Sequence, residues 1–232
     1  MYGRNSVREA LRGRRRVSEV WVSDRAEVEP LGAKDVPVHD ADRDMLDALA
    51  GSHDHQGLVA RVERFPYSDP DELFAGERPF VLALDQVTDP HNLGAIARVC
   101  DAAGVDGILV PKHRSAHVTA AVCRASAGAI EHVKVAVCTN IADTLERHKG
   151  AETWVYGTSD DAELSYTNID FASGVVIVLG SEGSGMRPRV RSTCDQLVSL
   201  PMAGKVSSLN VATVAAVLAF ECVRQRAGAG EG

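Results

Sequence analysis

The sequence predicts an α/β fold, with a parallel sheet in its C-terminal two-thirds and a smaller α/β unit before it. From Pro79 onward, apolar runs rich in β-branched residues (FVLALD, GILVP, VKVAV, TWVYGT, GVVIVLG, LVSLPM) mostly alternate with helical segments. That is the pattern of parallel strands covered on both faces. Before Glu63 the strand candidates SEVWVS and GLVARVE instead alternate apolar with polar residues, as half-buried strands do. The boundaries read as 1–63 for the small unit, 64–78 for a linker and 79–232 for the large unit.

In chain order, Asn5 or Ser6 can cap a first helix over roughly Val7 to Arg12. Arg4, Arg8 and Arg12 recur there at helical spacing. MLDALAG reads as a short helix ended by Gly51. The stretch RFPYSDPDELFAGERP carries three prolines and no period, so it reads as a connection with one helical turn. The final helix, Val211 to Glu221, is apolar nearly all round and must be buried, within its own chain or against a partner.

Composition narrows the function classes. A chain of 232 residues with 45% hydrophobic and 25% charged residues can bury a substantial core. No apolar stretch reaches the ~20 residues of a membrane span, and the N-terminal segment lacks the apolar centre of a secretory signal. Five scattered cysteines with no CxxC pair point to a reducing cytoplasm, away from disulfides and zinc. His53 and His55 lack a third ligand, so no metal is expected. The net charge of −7 argues against indiscriminate nucleic-acid binding. However, Arg4, Arg8, Arg12, Arg14, Arg15 and Arg16 with only Glu9 among them form a local basic surface.

Parallel sheets place ligands beyond the carboxyl ends of their strands, and three such loops carry chemistry. In DQVTDPHNLGAIARVCDAAG, capping accounts for Asp89, Pro90 and Asn92, but not for Arg98 on a small apolar helix. An arginine in that setting pairs with a carboxylate or phosphate. In VVIVLGSEGSGM a buried strand runs into Gly180, Gly183 and Gly185 around Glu182. The order is not GxGxxG, and Met186 and Arg187 stand where a nucleoside-triphosphate loop needs Lys and Ser or Thr. Both phosphate readings fail, leaving a backbone-lined turn that a ligand can approach closely. In LVSLPMAGKVSSLN, Ser207 or Ser208 can cap the final helix, which leaves Asn210 unexplained. Lys112, His113 and Arg114 follow another strand end and suit either RNA contact or solvent; the tail RAGAGEG reads as flexible and without function.

These loops, in this order and spacing, resemble the three signature motifs of the SpoU-type (TrmH-like) RNA 2′-O-ribose methyltransferases of the SPOUT superfamily. The likeness runs almost continuously over residues 78–226, while YGRNSVREAL and HQGLVARV are similar to the L30e-like substrate domain of one branch. The chain departs from that branch between SEVWVSD and VPVHD, which is short for the helix expected there. The resemblance implies a trefoil-knotted C-terminal sheet, a homodimer, S-adenosylmethionine as cofactor and no metal. It implies 2′-O-methylation of a ribose, a guanosine in 23S rRNA being the substrate of the most similar branch. A tRNA ribose methyltransferase and a non-catalytic RNA-binding protein are the alternatives.

Carried over residue by residue, the resemblance assigns cofactor contacts to Gly180, Leu200 and Leu209, with Met202, Ser208 and Thr158 beside them. It assigns catalysis to Arg98, supported by Asn92, Glu182, Ser208 and Asn210, and RNA contact to Arg4, Arg8 and Arg12. A guanidinium stays protonated in proteins. Arg98 therefore suits gripping the target phosphate and stabilising a developing alkoxide, with Glu182 orienting Arg98 or the ribose.

Overall fold

The computed structural model describes residues 1–33, 35–150, 152–205 and 208–228. Ser207 and the tail beyond Gly228, both discussed above, lie outside the described residues.

The N-terminal unit comprises α1 (Arg4–Arg12), β1 (Val17–Val22), α2 (Val28–Leu31), β2 (Val38–Asp40), α3 (Arg43–Ala50) and β3 (Leu58–Val62). β1 is central, parallel to β2 and antiparallel to β3. Helix α1 begins at Arg4, which corrects the expected cap: Asn5 and Ser6 lie in its first turn. Gly3, at φ 94°, precedes the helix, and the Ser6 hydroxyl donates to the buried carbonyl of Cys123 at 2.9 Å. Gly51 does end α3, in the left-handed region at φ 63°.

Residues 64–78 lie along the large sheet. Their 3₁₀ turn, Pro70–Leu73, is closed by a capping box between Asp69 and Glu72, and Leu73 is buried in the sheet's core. The amide of Ser68 donates to the Val135 carbonyl at 2.9 Å.

The large unit continues with β4 (Phe80–Leu84), α4 (Pro90–Ala103), β5 (Gly107–Pro111), α5 (Ala120–Ala125) and β6 (Val135–Cys138). Next come α6 (Ile141–His148), β7 (Thr153–Thr158), β8 (Leu164–Ser165) and β9 (Gly174–Leu179). It ends with α7 (Pro188–Thr193), β10 (Gln196–Ser199) and α8 (Val211–Gly228). The strands lie in the order β6-β5-β4-β9-β7-β10-β8, and every pairing is parallel.

Strand alternation divides the core between the two faces. Phe80, Leu82, Leu84, Val175, Ile177 and Leu179 face α4, α5 and α8, whereas Val81, Ala83, Val176 and Val178 face α6 and α7. Each such Val, Leu, Ile or Phe side chain contributes about 1.5–3 kcal/mol on burial. The chain builds outward from β4 to β6, returns to lay down β7, and then inserts β9 between β4 and β7. That reversal creates a crevice at the carboxyl ends of the central strands.

An ion pair joins the two units. Arg15, 7% exposed at its side chain, donates through Nε to Glu131 Oε2 at 2.9 Å and pairs through Nη2 with Oε1 of Glu131, itself 1% exposed. Arg15 is therefore a structural residue, apart from its neighbours in the basic cluster. Breaking a buried pair by neutralising one partner costs about 3–5 kcal/mol. Glu131→Gln is accordingly expected to lower the unfolding free energy by about that amount in urea titration. A double change of Arg15 to Met and Glu131 to Leu should cost less, because no charge is stranded.

Candidate active site

The crevice holds a cavity of about 590 Å³, within the usual range for small-molecule sites. Thr158 at the end of β7, Gly180 after β9, and Leu200 and Met202 after β10 line it, together with Ser208 and Leu209 before α8. All six proposed cofactor contacts thus meet in one cavity. Leu179, Leu200, Met202 and Leu209 supply apolar surface, and the loop 180–186 supplies backbone. Met202 and Leu209 are both exposed, although large and apolar.

The loop 180–186 owes its shape to glycine. A Cβ on Gly180 would stand 2.3 Å from the carbonyl carbon of Gly185. Gly183 and Gly185 have φ of 85° and 65°, where other L-residues are strained. At Gly180 the close approach is therefore by the loop's own backbone, where the sequence suggested a ligand. Ser181 and Gly185 close the loop with reciprocal backbone hydrogen bonds at 3.1 and 3.0 Å.

At the cavity rim three side chains form a closed triangle. Asn92 Nδ2 donates to Glu182 Oε1 at 3.0 Å, and Asn210 Nδ2 donates to the same oxygen at 2.7 Å and to Asn92 Oδ1 at 2.9 Å. Asn92 sits in the first turn of α4, which starts at Pro90 with Asp89 as its cap. Asn210 caps α8: its Oδ1 accepts from the amide of Ala212 at 2.9 Å and its carbonyl from Val214 at 3.1 Å. This corrects the assignment of that cap to Ser207 or Ser208. One amide side chain uses its oxygen on the helix and its nitrogen on the triangle.

Asp85 and Arg187, singled out by no sequence pattern, fix the loop to the end of β4. Asp85, fully buried at the end of β4, accepts from the Arg187 backbone amide at 2.7 Å and from Arg187 Nε at 2.7 Å. The pair spans 102 positions, so no local signal reveals it. Arg191 on the cavity wall donates to Ser159 Oγ at 2.7 Å and to Asp161 Oδ1 at 3.0 Å. Hydrogen bonds from Ser159 and then Arg191 hold the Asp161 carboxyl below its usual range.

The remaining candidates lie apart. Arg98 is exposed on α4, makes no side-chain hydrogen bond or ion pair among the described residues, and does not line the cavity. The expected pairing of Arg98 with Glu182 is absent within these described residues. Ser208 lines the cavity but is outside the triangle. Arg4 pairs with Glu27, while Arg8 and Arg12 pair with Glu9, and all three heads remain largely exposed. His53 and His55 both contact Asp47, and His55 Nδ1 accepts from Gly57, so both of its ring nitrogens are engaged. Among the described residues, no group of three or more potential ligands could hold a metal. None of their helices is long and apolar enough to cross a membrane.

Fold and site define a class: a parallel α/β domain with a small-molecule cavity at its strand-order reversal and a fixed polar triangle on the rim. Residues 79–220 match the model of the SpoU rRNA methylase family, and residues 1–68 match that of the RNA 2′-O ribose methyltransferase substrate-binding domain. The chain belongs to the SpoU rRNA methylase family. It is 40% identical to a putative TrmH family tRNA/rRNA methyltransferase, YacO, of Bacillus subtilis, covering 99% of this chain and 96% of that protein. It is 38% identical to the 23S rRNA (guanosine-2′-O-)-methyltransferase RlmB of Escherichia coli, covering 97% and 98% respectively. Among solved structures, the SpoU methyltransferase AviRb of Streptomyces viridochromogenes with the cofactor AdoMet superposes with a TM-score of 0.84. That match is 26% identical over 98% of this chain and 89% of the other.

If the buried Asp85 carboxylate holds the loop, Asp85→Asn keeps its size but loosens the grip on Arg187. The expected result is at least a tenfold loss of S-adenosylmethionine affinity in calorimetry, about 1.4 kcal/mol, with far-UV circular dichroism unchanged. Wild-type affinity in this variant would show that the pair does not govern the cavity.

Proposed function

We propose that this protein transfers the methyl group of S-adenosylmethionine to the 2′-oxygen of a guanosine ribose in 23S rRNA. The observation that carries this reading is the Asn92–Glu182–Asn210 triangle at the rim of a cavity suited to a nucleoside. The cavity fits the cofactor by size and by chemistry. Leu179, Leu200, Met202 and Leu209 suit the faces of an adenine, and the backbone of loop 180–186 suits its polar edges. When bound, S-adenosylmethionine supplies a methyl group on a sulfonium, which departs as a neutral thioether.

The chain's own tasks are to align the ribose and to take its proton. Both triangle bonds to Glu182 fall on Oε1, and no hydrogen bond to Oε2 occurs among the described residues. Glu182 Oε2 accepts the 2′-hydroxyl hydrogen, so the oxygen faces the cavity as its proton leaves. Arg98 holds the adjoining phosphate and stabilises the charge developing on that oxygen. Ser208, at the cavity edge, makes a further polar contact to the cofactor or ribose.

A homodimer completes this reading. Helix α8 buries Val211, Ala215, Leu218, Ala219 and Cys222 within the chain. Its other face presents Thr213, Ala216, Val217 and Phe220, and Phe220 is 50% exposed. Such a stripe fits a second copy of itself about a two-fold axis. Because α4 packs beside α8, the dimer brings Arg98 to the subunit boundary.

Residues 1–63 act as the L30e-like RNA-binding domain, 64–78 as its connection and 79–232 as the methyltransferase domain, whose crossings form the trefoil knot implied by the resemblance. Arg4, Arg8 and Arg12, whose solvent-facing guanidinium groups pair with the half-buried Glu27 and Glu9, turn to RNA phosphates. The protein acts in the cytoplasm, where its rRNA substrate is made, and no metal takes part. Coverage favours rRNA over tRNA. The structure of the A. aeolicus TrmH/SpoU tRNA modifying enzyme covers 69% of this chain, whereas that of the AdoMet-bound rRNA methyltransferase of Sinorhizobium meliloti covers 97%.

The wild-type protein is expected to methylate protein-free 23S rRNA at one guanosine ribose, read by mass spectrometry of the digested RNA. Arg98→Ala should lower turnover by about 10²–10³-fold with S-adenosylmethionine affinity unchanged; near-normal turnover would refute the role given to Arg98. Light scattering at micromolar concentration should give a dimer for the wild type and a monomer for Phe220→Glu. A monomeric wild type would exclude the proposed assembly.

A further inference from the structure

Along the carboxyl edge of the large sheet, strand order sets three features in a row. The cavity lies at β9, β7 and β10, Asn92 follows where β4 leads into α4, and Arg98 stands further along that helix. Next outward, beyond β5, the loop 112–118 carries Lys112, His113, Arg114 and His117.

That loop is fixed to its neighbour. The Ala116 amide donates to the Val87 carbonyl at 2.8 Å, and the Ser115 hydroxyl donates to the same oxygen at 3.4 Å. Both connections hold a non-glycine residue in the left-handed region, Gln86 at φ 65° and Arg114 at φ 57°. Lys112 and Arg114 are exposed, and neither side chain has a hydrogen bond or ion pair among the described residues. In a chain of net charge −7 most arginines find a carboxylate or carbonyl, and Arg114 is one of those that do not.

Beside them stands an aromatic ring held in place. Tyr67 accepts the Val118 amide hydrogen at its hydroxyl (2.9 Å) and packs edge-on with Phe65 and His117, at centroid distances of 5.2 and 6.1 Å. It is nonetheless 39% exposed. A second cavity of about 490 Å³ opens between Arg64, Phe65, Tyr67 and Thr119. Immobilised, exposed aromatic rings next to unpaired cations are how proteins hold single strands: rings take bases and cations take backbone.

We infer that Tyr67, Arg114 and Lys112 form a subsite for single-stranded RNA flanking the target nucleotide. One neighbouring base stacks on Tyr67, and the phosphates between it and the target lie over Arg114 and Lys112. The inference rests on the RNA-methylating function proposed above and adds where the substrate strand runs: over β5, past Arg98, to the cavity.

Steady-state methylation of protein-free 23S rRNA tests it. For Tyr67→Ala the KM for RNA should rise roughly 5- to 160-fold, the range set by loss of one stacked base. Its kcat at saturating RNA and its S-adenosylmethionine affinity should stay at wild-type values. Tyr67→Phe loses the Val118 bond but keeps the ring and its edge contacts with Phe65 and His117, so its KM should stay well below that of Tyr67→Ala, which separates stacking from any effect on folding. In a double variant, Lys112→Ala with Arg114→Ala, the slope of log KM against log salt should fall by about 1.4, at ~0.7 per single-strand phosphate contact. Wild-type KM in Tyr67→Ala, or an unchanged salt slope in the double variant, overturns the subsite. A Tyr67→Phe variant as impaired as Tyr67→Ala overturns it too. If the wild-type protein methylates no RNA, the proposed function itself fails, and that outcome is visible before any variant is made.

Discussion

The buried carboxylate of Asp85 is the constraint around which the site is assembled. A charge with no solvent access must be matched by donors at close range, and Arg187 provides a backbone amide and a guanidinium, each at 2.7 Å. Those two bonds fix the end of the loop 180–186 to the end of β4. The start of the loop is already fixed by β9, which pairs with β4 through Leu179 opposite Leu84. With both ends anchored to neighbouring strands and three glycines setting its interior, the loop has one shape available, and that shape presents Glu182 to Asn92. A buried pair of this kind adds little net stability compared with apolar residues of equal size. Its value lies in geometry.

The same economy governs Asn210. A serine or aspartate caps a helix as well as asparagine does, but neither offers an N–H group beyond the cap. Only the amide can accept from Ala212 with one atom and donate to Glu182 and Asn92 with the other. Asn210 thereby joins α8 to the β4–α4 and β9–α7 connections, the three segments that meet at the cavity. The interior of α8 then has to lie close to α4, which its Ala212, Ala215 and Ala219 allow. Arg226 fastens the other end of this helix, donating to the carbonyls of Phe171, Ser173 and Pro79. The first residue of the seemingly inert tail is thus a structural anchor.

What the sequence made legible follows from the range of each interaction. The central strands were readable because burial on both faces leaves continuous apolar runs, and β4, β5, β7 and β9 lie within a residue of their expected bounds. Strands β2 and β8, of three and two residues, are too short to show any period. The cap of α1 was misplaced because local propensity favours Asn5 and Ser6, whereas Ser6 is claimed by Cys123, 117 positions away. Asn210 was legible as a polar residue that capping left over, Glu182 as the carboxylate in a glycine turn and Asn92 through the family likeness, and the three do converge. Asp85 and Arg187 were not, since each reads as an ordinary charged loop residue until the fold brings them together. Arg98 was expected to have a carboxylate within its own chain, and its exposed, unpaired position turns attention to what approaches from outside.

That contrast extends to the whole charge distribution. An acidic chain could neutralise every arginine internally, and much of this one does. Arg15 and Arg187 are committed to buried carboxylates, and Arg226 to backbone carbonyls. Arg25, Arg61, Arg189 and Arg224 have partners on the surface. Arg98 on α4 and Lys112 and Arg114 on the β5–α5 connection have no partner among the described residues, and neither do Arg16, Arg43, Arg64 and Arg78. Like charges kept together cost self-repulsion, a cost that solvent and salt reduce but do not remove. An anionic ligand with several charges along its length removes it by occupying all of them at once.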